Sequence, residues 1–378
     1  MNNKLNLRMD SIPVIQAKDH HFASNNGFRT LVEDLELNNY HKSHGLVFIK
    51  PPDSVMEDTK LENIEAILKF GKLLRQTPRK ISHNIYNSNR MTGPGQAPLH
   101  RHKSYNFKDW SLTSHGRGIV NNPQEFWEFF ENIATKWQDK KDYVLYPSGI
   151  NGTFTSKGKI LGFLTFSKFL RFSSFLTFSM FLRFSGYKGW DLNNLPSEMK
   201  KYITEKKEGI TTTFLYVGGY ASHFNIHIEE DGLGSINLLH NVSKVSFNRN
   251  NNSNYNQSSL LLQIEGTSPK YWYHIKPEDQ MKLEYYLKAL HPELFENCQN
   301  YLAHRGIMLH PMVFQTIGIK LFQGEQLPGW YTIIWPGVYH FGFNKGKNVA
   351  EVSFYHFPYY LSKYKYHLTF FTGSCICT

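Results

Sequence analysis

The sequence predicts a mainly β fold, a sandwich or barrel with flanking helices. Three observations carry this. From residue 143 onward, runs rich in β-branched and aromatic residues alternate with turn residues: FLYVGGY (214–220), HFNIHIE (223–229), SINLLH (235–240), KYWYHI (270–275) and WYTIIWPGVYHFGF (330–343). Helical periodicity is confined to a few segments. Apolar residues make up 40% of the 378 residues, enough to bury a core.

In chain order, IPVIQ from residue 12 reads as a short β run. FRTLVEDLELNNYHKSHG then reads as a helix stopped at Gly45, and LVFIK as a strand closed by Pro51-Pro52. Residues 55–75 carry a helical pattern, and 76–120 read mainly as loop from TPRK, TGPGQAP and HRHK. A helix over 123–142 has Asn122 before Pro123 as its cap. A further helix is expected over 278–303. Two stretches break the pattern: 163–174, FLTFSKFLRFSS, is nearly repeated by 175–186, FLTFSMFLRFSG, and 241–265 holds the run NRNNNSNYNQSS. They read as surface loops, or as translated non-coding sequence.

Lys and Arg number 42 against 31 Asp and Glu, a net charge of +11, which favours nucleic acid, chromatin or an anionic surface as partner. Three cysteines exclude a disulfide-stapled scaffold and fit a reducing compartment. The N-terminus lacks the apolar core of a secretory signal. Lys168, Arg171 and Arg183 interrupt the most apolar stretch, 160–186, which argues against a bilayer span. The basic stretches 75–80 and 100–103 read as solvated loops, and the aromatic helix at 125–137 as core.

The chemistry concentrates at His227-Ile228-Glu229. In a strand, residues i and i+2 share a face, so an imidazole and a carboxylate converge while Ile226 and Ile228 turn away. One more histidine completes a facial triad with open positions, the arrangement suited to non-haem Fe(II). In a chain with 18 His the pair alone is weak.

Longer motifs give it context. FLYVGGYASHFNIHIEEDGLGSINLLH, PKYWYHIKPEDQMKLE (269–284), PGWYTIIWPGVYHFGFNKGKNVAE and YPSGINGTF (146–154) resemble, in order, segments of Jumonji-C (JmjC) histone lysine demethylases. IPVIQ…FRTLVEDL…KSHGLVFIKPP resembles the JmjN segment of one subset, which acts on trimethylated lysine-9 and lysine-36 of histone H3. The resemblance implies a double-stranded β-helix, a jelly-roll or cupin-like barrel, with a JmjN segment at 12–53, a helical and loop region at 54–142, a JmjC domain at 143–351 carrying inserts 156–186 and 241–265, and a tail at 352–378.

It also implies His227, Glu229 and His340 as iron ligands. Tyr146, Asn237 and Lys270 would bind 2-oxoglutarate, with Phe224 walling that site; Lys270 is preferred over Lys244 because its flanking sequence matches. Gly209, Tyr216 and Glu229 would line the methyl-lysine pocket. Cys298, His304, Cys375 and Cys377 would form a structural Cys3His zinc site, the ligand types a closed zinc site uses. The implied activity is oxidative demethylation of a histone H3 lysine in the nucleus by a monomer with chromatin as partner and no membrane. The alternatives are an inactive JmjC chromatin regulator and a 2-oxoglutarate-dependent protein hydroxylase. Several positions depart from the family: Phe214 replaces a tyrosine, Gly149 an aspartate, and Val352-Ser353-Phe354 a Ser-Thr-Asn run. No PHD or Tudor reader is expected after Thr378.

Overall fold

The computed structural model describes residues 9–56, 72–76, 78–87, 118–135, 144–151, 153, 160–161, 181–182, 189–197, 212–229, 233–242, 267–296, 298 and 301–359. The N-terminal part contributes β1 (Asp10–Ser11), β2 (Val14–Gln16), α1 (Asp19–Phe22), α2 (Asn25–Leu37), α3 (Tyr40–Ser43) and β3 (Leu46–Lys50). Then come β4 (Lys72–Gln76), β5 (Arg79–Ser82), β6 (Ile85–Asn87), α4 (Pro123–Thr135), β7 (Val144–Ser148), β8 (Ile150–Asn151), β9 (Ile160–Leu161) and β10 (Phe181–Leu182). The remainder is β11 (Phe214–Gly218), β12 (His223–His227), β13 (Gly234–Leu239), β14 (Lys270–His274), α5 (Gln280–Leu290), β15 (Ile307–Leu309), α6 (Pro311–Thr316), β16 (Phe322–Gln326), β17 (Tyr331–Ile334), β18 (His340–Asn344) and β19 (Asn348–Tyr355).

Two sheets form the body. One has the order β1-β16-β14-β18-β12, the other β2-β3-β17-β13-β19-β11-β8. Strands close in sequence fall in different sheets, as in a jelly-roll barrel, and the expected mainly β, cupin-like fold is what the chain adopts. The N-terminal segment ties into both: Asp10 and Ser11 pair with β16, and three residues later β2 lies parallel to β3 in the other sheet. Helix α2 buries Phe28, Leu31, Val32 and Leu35 in a core with Trp190, Tyr331 and Tyr355 behind the seven-stranded sheet. Helices α4 and α5 cover the five-stranded sheet with Phe126, Trp127, Phe130, Leu283 and Leu287. Asn122 caps α4 as expected, its Oδ1 accepting from the Glu125 backbone N–H at 3.0 Å.

Several expected elements differ. The helix expected to run to Gly45 breaks into α2 and α3, with Asn39 between them at φ 60°. The helix expected over 278–303 ends at Leu290, because Pro292 cannot continue it; short 3-10 turns follow at Pro292–Leu294 and Tyr301–His304. The end of the helical pattern at 55–75 is strand, with β4 pairing along β7. Within the stretch read as loop, β5 and β6 make a hairpin whose turn places Asn84 at φ 64°. Of the two inserts, the structure describes the short β9–β10 pair and residues 241–242.

Each central strand faces two ways. In β14, Tyr271 and Tyr273 join the outer core, while Lys270 and Trp272 face the space between the sheets. In β18, Phe341 and Phe343 lie outside, and His340 and Gly342 inside. Gly342 lies between Trp272 and Phe224, opposite both. A side chain there would meet the Tyr271 carbonyl and, at 2.6 Å, the Phe224 ring. Gly342→Ala is therefore expected to destabilise the protein by about 2–3 kcal/mol, in the range for overpacked cores. Denaturant unfolding checks this; a variant as stable as the parent would show that the Tyr271 carbonyl and the Phe224 ring give way without cost.

Candidate active site

The two sheets enclose a cavity of about 410 Å³. Its walls include Phe224, His227, Lys270, Trp272 and His340 from one sheet, and Phe214, Tyr216, Ser235, Asn237, Val352 and Phe354 from the other. Tyr146, Ser148 and Gly149 contribute from β7 and the turn after it.

His227, Glu229 and His340 converge in this cavity. Each offers one ligand atom, the three atoms lie within 4.8 Å of one another, and all three residues are buried. His227 ends β12 and faces His340 directly across the β12–β18 ladder, their rings 4.3 Å apart. Glu229 follows two residues past the strand end, so the expected strand over 223–229 is shorter than its motif. The register slips by one residue between Phe224 and His227, a bulge. The bulge lets Phe224 and His227, which strict alternation would put on opposite faces, both line the cavity.

Backbone carbonyls set the imidazole tautomers. His227 donates from Nδ1 to the Asn225 carbonyl at 2.6 Å, and His340 from Nδ1 to the Val338 carbonyl at 3.0 Å. Both Nε2 atoms are left as acceptors, the arrangement metal-binding histidines use. Burial holds the pKa of both histidines below the usual range; neighbouring positive charge on Arg305 adds to this, so the rings are neutral and ready to ligate. Glu229 Oε1 lies 3.7 Å from His340 Nε2 and accepts the Ser235 hydroxyl at 2.6 Å, while Oε2 lies 3.6 Å from the Arg305 guanidinium. Two neutral imidazoles and one carboxylate oxygen, all buried beside a cavity, fit a divalent transition metal with open positions.

Lys270 marks a second subsite. Only 3% exposed, its ammonium sits 5.4 Å from the Phe224 ring centre and 5.5 Å from that of Trp272. Burial pushes its pKa down to about 7. No carboxylate lies within ion-pair distance of it among the described residues. Asn237 is also buried, and its Oδ1 has no hydrogen-bond partner among the described residues. Tyr146 lies on the same cavity, its phenol hydrogen-bonded by Asn344 and its pKa raised by burial. A buried cation and underused polar groups beside a metal site suit a small dianion that also reaches the metal.

Of the expected site residues, Tyr146, Tyr216, Phe224, His227, Glu229, Asn237, Lys270 and His340 share this cavity. Gly209, Lys244, Cys375 and Cys377 lie outside the described residues. Cys298 is half-buried, with no disulfide among the described residues, and His304 follows in the 3-10 turn Tyr301–His304. The departures also fall here: Phe214, Val352 and Phe354 line the mouth, with Phe214 edge-on to Phe354 at 6.5 Å. Sequence reasoning passed over Ser235, Trp272 and Arg305. Ser235 and Trp272 were within reach, each two positions from an expected residue on the same strand face. Arg305 carried no such signal.

Residues 251–353 match the family model described as "JmjC domain, hydroxylase". The matched span contains Lys270, Trp272 and His340, and begins after His227, Glu229 and Asn237. Among curated proteins, the chain is 33% identical over 144 residues to lysine-specific demethylase 4D of Rattus norvegicus, covering 38% of this chain and 23% of the relative. It is 31% identical over 166 residues to lysine-specific demethylase 5B of Gallus gallus, covering 43% of this chain and 9% of the relative. It is 28% identical over 166 residues to lysine-specific demethylase JMJ703 of Oryza sativa subsp. japonica, covering 43% and 11%. The matches thus span about a tenth to a quarter of these relatives' length. The resemblance to JmjC lysine demethylases holds; the matches reach differently numbered demethylases and single out no subset. No helix among the described residues is long and apolar enough to cross a membrane.

Lys270 gives a testable consequence. Its folded-state pKa near 7 lies below the 10.5 of an unperturbed lysine, so between these values the unfolded chain holds more protons. Stability therefore rises with pH through that window on account of this group. Without an anion, Lys270→Met is expected to be more stable than the parent at pH 6 by about 1–4 kcal/mol, the range seen when apolar side chains replace buried charges. The advantage shrinks toward pH 10. Parallel denaturant curves across pH measure this; a constant difference between the two proteins would mean that Lys270 is solvated.

Proposed function

We propose that this chain is an Fe(II)- and 2-oxoglutarate-dependent oxygenase that removes methyl groups from a lysine of histone H3. The observation that carries the reading is the meeting of buried His227, Glu229 and His340 in one cavity with Lys270, which has no carboxylate within ion-pair distance among the described residues. His227 Nε2, His340 Nε2 and one Glu229 oxygen would hold the iron. Bound together, iron and 2-oxoglutarate supply oxidation of an N-methyl carbon by dioxygen, with succinate, carbon dioxide and formaldehyde as products.

The chain's own residues bind, orient and shield. Lys270 pairs with the far carboxylate of the co-substrate, with Tyr146 and Asn237 alongside, a charge-assisted contact that returns the ammonium toward its ordinary pKa. Phe224 and Trp272 wall the cavity and exclude water, and the Trp272 indole N–H is already satisfied by Gln326 at 3.0 Å. Tyr216 and Glu229 line the side where a methylated ammonium would lie, with Gly209 assigned there from the family pattern. Cys298, His304, Cys375 and Cys377 are assigned to a structural zinc, and residues 12–53 to a JmjN segment whose strands β2 and β3 extend the seven-stranded sheet. A nuclear location and a chromatin partner follow from the substrate.

One observation favours a second reading. Phe214, Val352 and Phe354 give the mouth apolar walls, which suit hydroxylation of a neutral side chain as well as a methylated lysine.

Incubation of the protein with Fe(II), ascorbate, 2-oxoglutarate and methylated histone H3 peptides distinguishes the readings. Demethylation lowers peptide mass in steps of about 14 Da with formaldehyde release, and hydroxylation raises it by about 16 Da without formaldehyde, by the balance of the two reactions. His340→Ala is expected to abolish both succinate and the mass change. Succinate with no change in any H3 peptide would reject the histone assignment and leave the oxygenase chemistry; no succinate would reject both.

A further inference from the structure

Arg305 reaches both members of the His227–Glu229 pair. Its guanidinium lies 3.6 Å from Glu229 Oε2, while Oε1 is the oxygen turned toward His340 Nε2, at 3.7 Å. Its backbone carbonyl accepts the Asn225 side-chain amide at 2.6 Å, and the Asn225 carbonyl in turn accepts His227 Nδ1–H at 2.6 Å. Ser235 holds Oε1 from the other side at 2.6 Å. Arg305 sits at φ 53°, a left-handed conformation that costs a non-glycine residue energy and persists where surrounding contacts impose it. It immediately follows the 3-10 turn Tyr301–His304, so an element remote in sequence closes over the ligand pair.

We propose that Arg305 is a positioning residue that holds Glu229 as a single-oxygen metal ligand by engaging its second oxygen. A carboxylate beside a divalent ion can bind through one oxygen or two. Binding through two uses a coordination position that the co-substrate and dioxygen need. A guanidinium 3.6 Å from Oε2, an ion pair without a hydrogen bond, makes the two-oxygen mode lose an electrostatic attraction on that oxygen. Its positive charge also opposes the metal's charge, so the same residue lowers metal affinity while keeping positions open. The Asn225 link aligns His227 through the same residue, so both ligands answer to one loop. This inference rests on the metal-centre reading and is independent of the substrate.

The test uses the full chain loaded with Co(II), whose visible absorption reports coordination number without turnover. Arg305→Met keeps side-chain length and the backbone carbonyl that Asn225 binds. It is expected to bind Co(II) about 3- to 10-fold more tightly and to show weaker visible bands, the signature of a higher coordination number. Arg305→Lys, which keeps a cation near Oε2, is expected to restore much of the parent spectrum. An unchanged spectrum in Arg305→Met, whatever its affinity, overturns the proposal. If that variant does not fold, X-ray absorption of the Mn(II)-loaded parent decides: one carboxylate oxygen on the metal supports it, and two overturn it. Failure to bind Co(II) in the parent overturns the metal-centre reading itself, a result distinct from either.

Discussion

The cross-strand pairing of His227 with His340 is the constraint on which the site depends. Their backbones are partners in one antiparallel ladder, which fixes two Nε2 atoms near one point before any metal binds. The rest of the sheet serves that pairing. Tyr271, Tyr273, Phe341 and Phe343 anchor the two neighbouring strands in the outer core under α4, so the inward residues between them cannot slide. A shift of one residue would exchange the two faces, placing phenyl rings in the cavity and histidine in the core. The bulge between Phe224 and His227 is the single break in this alternation, and it puts one more aromatic wall inside.

Charge is arranged around that pairing rather than spread through it. Glu229 is compensated on both oxygens, by Ser235 and by Arg305. Lys270 is not compensated by any carboxylate of the described residues, and burying its charge is costly. A buried ammonium with no carboxylate beside it among the described residues suits an anion. The two subsites are therefore complementary: one gathers ligand atoms that suit a cation, the other an ammonium that suits an anion, and both line one cavity.

Away from the cavity, the N-terminal segment does more than precede the barrel. By pairing β1 with one sheet and β2 and β3 with the other, it ties the edges of both together. Helix α2 then buries the back of the seven-stranded sheet, leaving the inner face free for polar work. The mouth is where this chain departs from the family pattern, with Phe214, Val352 and Phe354 in place of hydroxyl- and amide-bearing side chains.

The sequence by itself determined many of the strands and the residues that gather at the cavity. Period-two alternation and turn residues placed β11 to β14, β17 and β18, because a strand's inner and outer faces leave a local record. Long motifs named His227, Glu229, His340, Tyr146, Asn237 and Lys270, all of which fall on the cavity. The break at Leu290 was written locally in Pro292, whereas the strand at Lys72–Gln76 turned on a partner far along the chain. Only the tertiary structure decided that β12 bulges, that Ser235 and Arg305 share Glu229, and that Lys270 stands without a carboxylate among the described residues. Each of these is a relation between segments distant in sequence, set by sheet register and burial, and no window of residues along the chain contains it.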